Sequence, residues 1–318
     1  MSLKLQLCRT IWDKQWLKPR QSRAIYKCLS KAGQAPDFPF TQDFYGLHYE
    51  GNLRNNIDFH IFYYGAFEKP LLHFLRDTLQ ALDSHNSVFV DIGANIGQHA
   101  LFMSTLCRQV HAFEPFDKVR QRLDLQITNN KINNIQIHTI GVSNENASLP
   151  FYAPTGANQG IGSFDSNTAA KGNVSIGELA LVKGDDYFPE HGIDRIDIMK
   201  IDVEGFEKPA LQGLQETLNA TRPIIVVEVT YGEAHSFSSI AQIASHLPQN
   251  YELFTFDNRK VDGSKARKRD GKSRISGNYD LVPYTKVLQR GQDNIIACPR
   301  EKLFAINNVK SQGNKRQE

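Results

Sequence analysis

Val88-Phe89-Val90-Asp91-Ile92-Gly93-Ala94-Asn95-Ile96-Gly97-Gln98-His99 is an apolar strand running into a turn with two glycines that opens a helix. Gly93 permits a tight turn and close approach of the backbone to a ligand, and Gly97 lets the helix pack on the strand. Amides at the helix start then face the ligand. Asp91, at the strand's carboxyl end, can take a cationic amino group directly or through water. Many strand-to-helix turns contain two glycines, so this one identifies a ligand site only in company with acids at the ends of neighbouring strands.

From Ser87 onward, short apolar runs alternate with amphipathic stretches, the pattern of a buried parallel sheet covered by helices. Strands are expected at 87–92, 109–114, 135–142, 195–202, 223–229, 251–256 and 293–298, with helices at 96–106, 117–130, 206–218 and 237–246. The fold class predicted is α/β, a Rossmann-like doubly wound sheet of about seven strands. Upstream, aromatic clusters (Phe38, Phe40, Phe44 and Tyr45, then Phe59 to Tyr64) broken by Pro36, Pro39 and Gly51 indicate a small packed N-terminal cap. Its opening reads helical, and an apolar stripe from Leu71 to Leu82 leads into the first strand. The expected domains are a cap at 1–80, the α/β domain at 81–300 and a disordered tail at 301–318. Two inserts interrupt the alternation: 144–190, rich in Asn, Gly and Ser with short strands at 148–152 and 177–183, and the basic 257–292. Loops this long are functional or disordered.

Composition sets outer bounds. Of 318 residues, 40% are hydrophobic and 22% charged, the balance of a globular protein. A net charge of +3 makes no global demand for nucleic acid, a membrane or an acidic polymer. Cys8, Cys28, Cys107 and Cys298 show neither zinc-site spacing nor disulfide density, which suits a reducing compartment. The opening MSLKLQLCRTIWDKQWLKPR has no uninterrupted apolar core, and no later segment reaches the roughly 18 apolar residues of a membrane span. A cytoplasmic protein without a membrane span is expected.

Val110-His111-Ala112-Phe113-Glu114-Pro115 ends the second strand on an acid, 23 positions after Asp91, where it can accept hydrogens from both ribose hydroxyls. The first turn lacks G-x-G-x-x-G, so one nucleoside fits better than a pyrophosphate. At the end of the third strand, Ile140-Gly141-Val142-Ser143, Gly141 either leaves room beside an adenine or marks a bulge, and Ser143 can offer a hydrogen bond.

Asp197-Ile198-Met199-Lys200-Ile201-Asp202-Val203-Glu204-Gly205-Phe206-Glu207 carries charges from the fourth strand into its carboxyl-end loop. Lys200 and Asp202 share a face, and such charges are costly unless paired. They either serve chemistry or form a pair, Lys200 with Asp202 or Glu204, that closes the sheet edge. The fifth strand, Pro223-Ile224-Ile225-Val226-Val227-Glu228, also ends on an acid. Asp202, Glu204 and Glu228 can surround a reacting group, one carboxylate serving as general base. If a divalent ion is present, Asp202 and Glu228 are its candidate ligands. Asp185-Asp186 reads more readily as a cap, and His99 is a further base candidate or a packing histidine. His191 and His235 carry only background weight.

These residues resemble the FkbM family of methyltransferases. The matching stretches are Phe89 to Gly97, Ala112-Phe113-Glu114-Pro115, Ile198 to Glu207 and Ile225-Val226-Val227-Glu228-Val229, with Tyr64-Gly65-Ala66-Phe67-Glu68 ahead of them. The resemblance spans about residues 44–300, and Gly184-Asp185-Asp186 stands where the family has Leu-Asp-Asp. It implies a class I fold, S-adenosylmethionine as cofactor and, for most members, methylation of hydroxyl oxygens on sugars, polyketides and related products. It further implies a cap that closes over the ligand. The implied cofactor contacts are Glu68, Asp91, Gly93, Asn95, Gly97, Glu114, Val142, Ser143 and Asp202. The implied catalytic set is Lys200, Asp202, Glu204 and Glu228. A small-molecule or glycan acceptor is expected. Methylation of nitrogen on RNA or protein, and a catalytically silent binding domain, are the alternatives.

The basic insert is where the chain departs most from the resemblance, with no counterpart assigned to it. Eight Lys or Arg residues fall between Arg259 and Arg274. The stretch either recruits an anionic acceptor or is a solvated mobile loop. It lacks the interleaved aromatics that stack RNA bases.

Overall fold

In the computed structural model, residues 3–13, 17–154, 162, 164, 173–232, 236–260 and 262–310 are described. His235 and residues 311–318 of the expected tail lie outside them. The described residues fall into two compact units, one drawn from Met1–Phe67 and the other from Glu68–Thr155 and Gln159–Glu318.

The first unit contains helices Leu3–Asp13, Pro19–Lys31 and Asn56–Tyr64, with an antiparallel hairpin of β1 (Pro39–Phe44) and β2 (Leu47–Asn52). Its aromatics bury one another: Trp12 meets Tyr26 at 5.4 Å, and Tyr26 stacks on Phe59 at 5.5 Å. Asp58 is fully buried yet satisfied, accepting from the Tyr49 hydroxyl at 2.7 Å and the Asn52 amide at 2.8 Å. Asn55 caps the third helix through the Ile57 and Asp58 amides.

The second unit begins with helix Lys69–Leu82, which the sequence pattern grouped with the cap. Its strands are β3 (Val88–Ile92), β4 (Gln109–Phe113), β5 (Ile135–His138), β6 (Gly141–Ser143), β7 (Ala147–Pro154), β8 (Asn173–Lys183), β9 (Ile198–Ile201), β10 (Ile224–Tyr231), β11 (Tyr251–Phe256), β12 (Leu281–Pro283) and β13 (Gly291–Pro299). Eight form one sheet in the order β12-β11-β13-β10-β9-β3-β4-β5. The pairs among β5, β4, β3, β9 and β10 are parallel, whereas β13 is antiparallel to both β10 and β11. This is a doubly wound α/β fold in which the strand order reverses between β3 and β9, the crevice where such sheets bind ligands. Every residue of β3 and of β9 is buried, as expected of strands covered on both faces.

Departures from the expected elements have local causes. The strand expected at 135–142 is two strands: β5 ends at His138, and β6 joins a separate three-stranded sheet ordered β6-β8-β7. Gly141 allows the exit, since a Cβ there would lie 2.5 Å from Leu181 Cδ2. The helix expected at 206–218 is split into Glu207–Gln212 and Gln215–Thr221. The break is Gly213, whose Cβ would fall 1.8 Å from the Ser143 carbonyl oxygen.

The basic insert supplies helix Arg267–Ser276 and the edge strand β12, so the sheet has eight strands rather than seven. That helix lies on helix Lys69–Leu82, where Lys69 donates to the Ile275 carbonyl at 3.2 Å and the nearby Tyr279 hydroxyl to Asp77 at 3.0 Å. The chain after residue 300 continues as a 3-10 helix, Arg300–Ala305, and Val309 bridges to Leu281. Among the described residues, no helix is long and apolar enough to cross a membrane.

Gly213→Ala forces a Cβ onto backbone that has no flexible end to yield. The expected loss of stability is about 1–3 kcal/mol, read from urea unfolding. An unchanged midpoint would show that the contact between Gly213 and β6 is not tight.

Candidate functional site

The turn after β3 is pressed against the end of β9. Gly93 has φ +83°, and a Cβ there would sit 1.8 Å from the Asp202 carbonyl oxygen. Only glycine meets both demands. Gly97 has φ +81° and a Cβ position 2.2 Å from Leu123 Cδ1, which seats the following helix on its neighbour.

Glu114, just past β4, reaches across to the same turn. One oxygen accepts the Asn95 amide at 2.9 Å and the other the Phe116 amide at 2.8 Å. Burial raises its pKa to about 7 in spite of these bonds. Each oxygen keeps a lone pair for a further donor. Gly141, which opens β6, lies beside Pro115. Val142 and Ser143 follow on β6, outside the eight-stranded sheet, with the Ser143 hydroxyl 3.2 Å from Asn144 Oδ1.

Between β3 and β10 lies a charged cluster. Lys200 on β9 is in register with Asp91 on β3 and Val226 on β10. It is 2% exposed, and its ammonium stands 2.9 Å from Asp202 Oδ2 and 3.9 Å from Asp91 Oδ1. Burial opposes its charge, but Asp202, Asp91 and Glu68 together outweigh burial and raise its pKa. Lys200 is therefore a fixed cation. Asp91 is fully buried, and neither oxygen has a hydrogen-bond partner of ordinary geometry. Burial raises its pKa to about 6, with Lys200 opposing and Asp202 adding to the rise.

Glu68 joins from the turn before helix Lys69–Leu82, at φ +45°. One oxygen accepts from Asn294 at 3.0 Å; the other has no hydrogen bond and lies 3.6 Å from His99 Nε2, which has none either. Burial and then Asp202 raise the Glu68 pKa, while burial and then Lys200 hold His99 neutral. Glu228 is in register with Asn294 and accepts from Gln292 at 2.8 Å. Burial, then Asp202, Glu68 and Glu204, push its pKa to about 10, so it is protonated at neutral pH. Glu204 lies in the loop after β9 at φ +50°, followed by Gly205 at φ +101°. Glu207 pins that loop by accepting the Val203 and Gly205 amides at 3.1 and 3.0 Å.

The structure thus brings Glu68, Asp91, His99, Lys200, Asp202 and Glu228 together. It does not bring in Asp185, which caps helix Gln215–Thr221 through the Glu216 and Thr217 amides, or His191, which stacks on Tyr187 at 3.6 Å. Among the described residues, no group of three or more His, Cys, Asp or Glu is placed to hold a metal ion. Sequence reasoning missed Asn294 and Gln292, and it quoted Glu207 in the charged string without its anchoring role. The first two reach the site only through the antiparallel pairing of β13 with β10, which leaves no local signal.

Residues 91–253 match the family model described as the methyltransferase FkbM domain. The chain is 28% identical over 152 residues to hexuronic acid methyltransferase AglP of Haloferax volcanii, covering 46% of this chain and 57% of that protein. It is 28% identical over 148 residues to Methyltransferase 1 of Beauveria bassiana, covering 41% and 59%. The chain therefore spans less than two thirds of either relative. A solved methyltransferase FkbM from Methylobacillus flagellatus is 17% identical with a TM-score of 0.40, covering 67% of this chain and 44% of that one.

Asp91→Asn tests the electrostatics. A carboxyl whose folded pKa of about 6 exceeds its unfolded value near 3.9 stabilises the protein below the lower figure, and that stability is lost as pH rises through the higher. The neutral amide avoids the loss, so the variant should be more stable than the parent at pH 8 by about 1–3 kcal/mol. The gain should vanish near pH 4, and thermal melts across this range check it. A variant less stable at pH 8 would show that the Asp91 charge contributes more through Lys200 than its burial costs.

Proposed function

The chain belongs to the FkbM methyltransferase family, and from that premise we propose that it transfers a methyl group from S-adenosylmethionine to a hydroxyl of a sugar, glycan, glycolipid precursor or related metabolite. One observation carries the cofactor assignment. Four buried polar atoms without hydrogen bonds, both oxygens of Asp91, Glu68 Oε2 and His99 Nε2, occur in one cluster beside the turn after β3. Buried polar groups in native proteins are nearly always paired, so a cluster of orphans fits a missing polar ligand. Three of the four are carboxylate oxygens, which suit an ammonium group.

On this reading Asp91 and Glu68 take the amino group of the cofactor's methionine part. Glu114, with a free lone pair on each oxygen, takes the ribose hydroxyls. Gly93, Asn95 and Gly97 shape the turn around the cofactor, and Val142 and Ser143 border the adenine. The bound cofactor supplies an electrophilic methyl on a sulfonium, so the enzyme's work is positioning and proton removal. Lys200 fixes Asp202 through the 2.9 Å bond, leaving Asp202 to accept the acceptor hydroxyl's proton. Glu228, protonated and held by Gln292, has a proton to donate to an acceptor oxygen. Glu204 lines the loop after β9 next to this pair. No step needs a divalent ion, although Asp202 and Glu228 would be its ligands.

Titration calorimetry should show binding of S-adenosylmethionine and S-adenosylhomocysteine, and none of NAD. Asp202→Asn should leave S-adenosylhomocysteine affinity within about threefold while lowering kcat by about 10²–10⁴ in methyl transfer to sugar nucleotides and glycosides. Tight NAD binding, or full turnover by Asp202→Asn, would overturn the reading. Transfer to RNA or peptides alone would replace the hydroxyl acceptor with a nitrogen one.

A further inference from the structure

None of the proposed cofactor contacts lies in the basic insert, yet its first turn is fastened to the strand pair that carries Glu228. Arg259 and Lys265 face each other in an antiparallel bridge, closed by the Lys260 amide on the Ser264 carbonyl at 2.8 Å. The Arg259 guanidinium bonds Asp293 at 2.7 Å, the Gly263 carbonyl at 3.0 Å and the Gln292 carbonyl at 3.0 Å. Asp293 is 4% exposed and also accepts from the Tyr231 hydroxyl at 3.0 Å. The turn is therefore fixed to β13 and β10 by a buried ion pair. Its anchor, Asp293, is flanked by Gln292, which holds Glu228, and Asn294, which holds Glu68.

The insert's cations differ in what they do. Arg269 is spent on Asp257 and the Arg259 carbonyl, and Arg274 on Asp270. Lys265 is exposed, and its ammonium has no hydrogen bond or ion pair among the described residues. Burial and then Asp202 raise the Glu68 pKa, and the Lys265 charge opposes that rise after Lys200 and the Asn294 bond.

We infer that Lys265 is a specificity-determining residue which binds the carboxylate or phosphate of an acidic sugar acceptor beside the Glu228 end of the site. The inference rests on the methyl-transfer reading and narrows its acceptor. With Asp91 and Glu68 taken by the cofactor's amino group, Asp202 and Glu204 would still repel an anionic acceptor, because Lys200 is already committed to Asp91 and Asp202. A second cation is needed for an acid to approach. A lysine set on a turn clamped by Arg259 gives that cation a fixed origin and lowers the entropy lost on binding.

The test uses the full chain saturated with S-adenosylhomocysteine and three probes: methyl glucuronide, glucose 6-phosphate and methyl glucoside. Calorimetry at low salt should give at least one acidic probe about tenfold tighter binding than methyl glucoside, and the stronger of the two tells carboxylate from phosphate. Lys265→Ala should abolish the preference and Lys265→Arg retain it, with S-adenosylhomocysteine affinity unchanged in both. Equal binding of acidic and neutral probes, undetectable binding of all three included, overturns the inference. So does a Lys265→Ala variant that keeps the preference. Failure of the parent protein to bind S-adenosylhomocysteine overturns the methyl-transfer reading and this inference with it.

Discussion

A lysine ammonium buried among the parallel strands of the sheet is the constraint on which the site depends. Removing an isolated cation from water costs several kcal/mol or more, so Lys200 persists only because acids converge on it from neighbouring elements. Asp91 comes from β3, Asp202 from its own strand end and Glu68 from the turn before helix Lys69–Leu82. Each acid is itself buried at some cost. The cluster is stable as a set, and no member is tolerable alone.

That cost is left partly unrecovered. Asp91 has a pKa near 6, Glu114 near 7 and Glu228 near 10, each raised first by burial. A core evolved for stability alone would carry neutral groups at such positions. Tight backbone contacts hold the arrangement regardless. Gly93 admits the Asp202 carbonyl, Glu114 ties β4 to the Asn95 amide, and Glu207 fixes the loop that carries Glu204. Together they keep the carboxyl ends of β3, β4 and β9 in one geometry in spite of the cost of the charges gathered there.

Much of this was legible in the sequence because it was local. The strand-turn-helix from Val88 to His99, the acid ending β4 and the charged string from Lys200 to Glu207 are written in consecutive residues whose spacing reports a strand end. Asp185 as a cap was legible for the same reason. Three features were not. The split of 135–142 into β5 and β6 depends on Gly141 meeting Leu181, forty residues away in sequence. Asn294 and Gln292 reach the site through an antiparallel register with β10. The insert's composition suggested a solvated loop, but its Arg259 is matched to a buried Asp293, its helix to Lys69 and the Tyr279 that follows to Asp77. Long-range pairing of this kind has no short-range sequence signature.

The central claim is that the cluster around Lys200 is one half of a cofactor site. A crystal structure of the protein with S-adenosylhomocysteine tests it most directly. The account predicts the ligand's amino group within hydrogen-bond distance of Asp91 or Glu68, with its ribose hydroxyls on Glu114. A nucleoside bound elsewhere, with both Asp91 oxygens and Glu68 Oε2 still unpartnered, would contradict it.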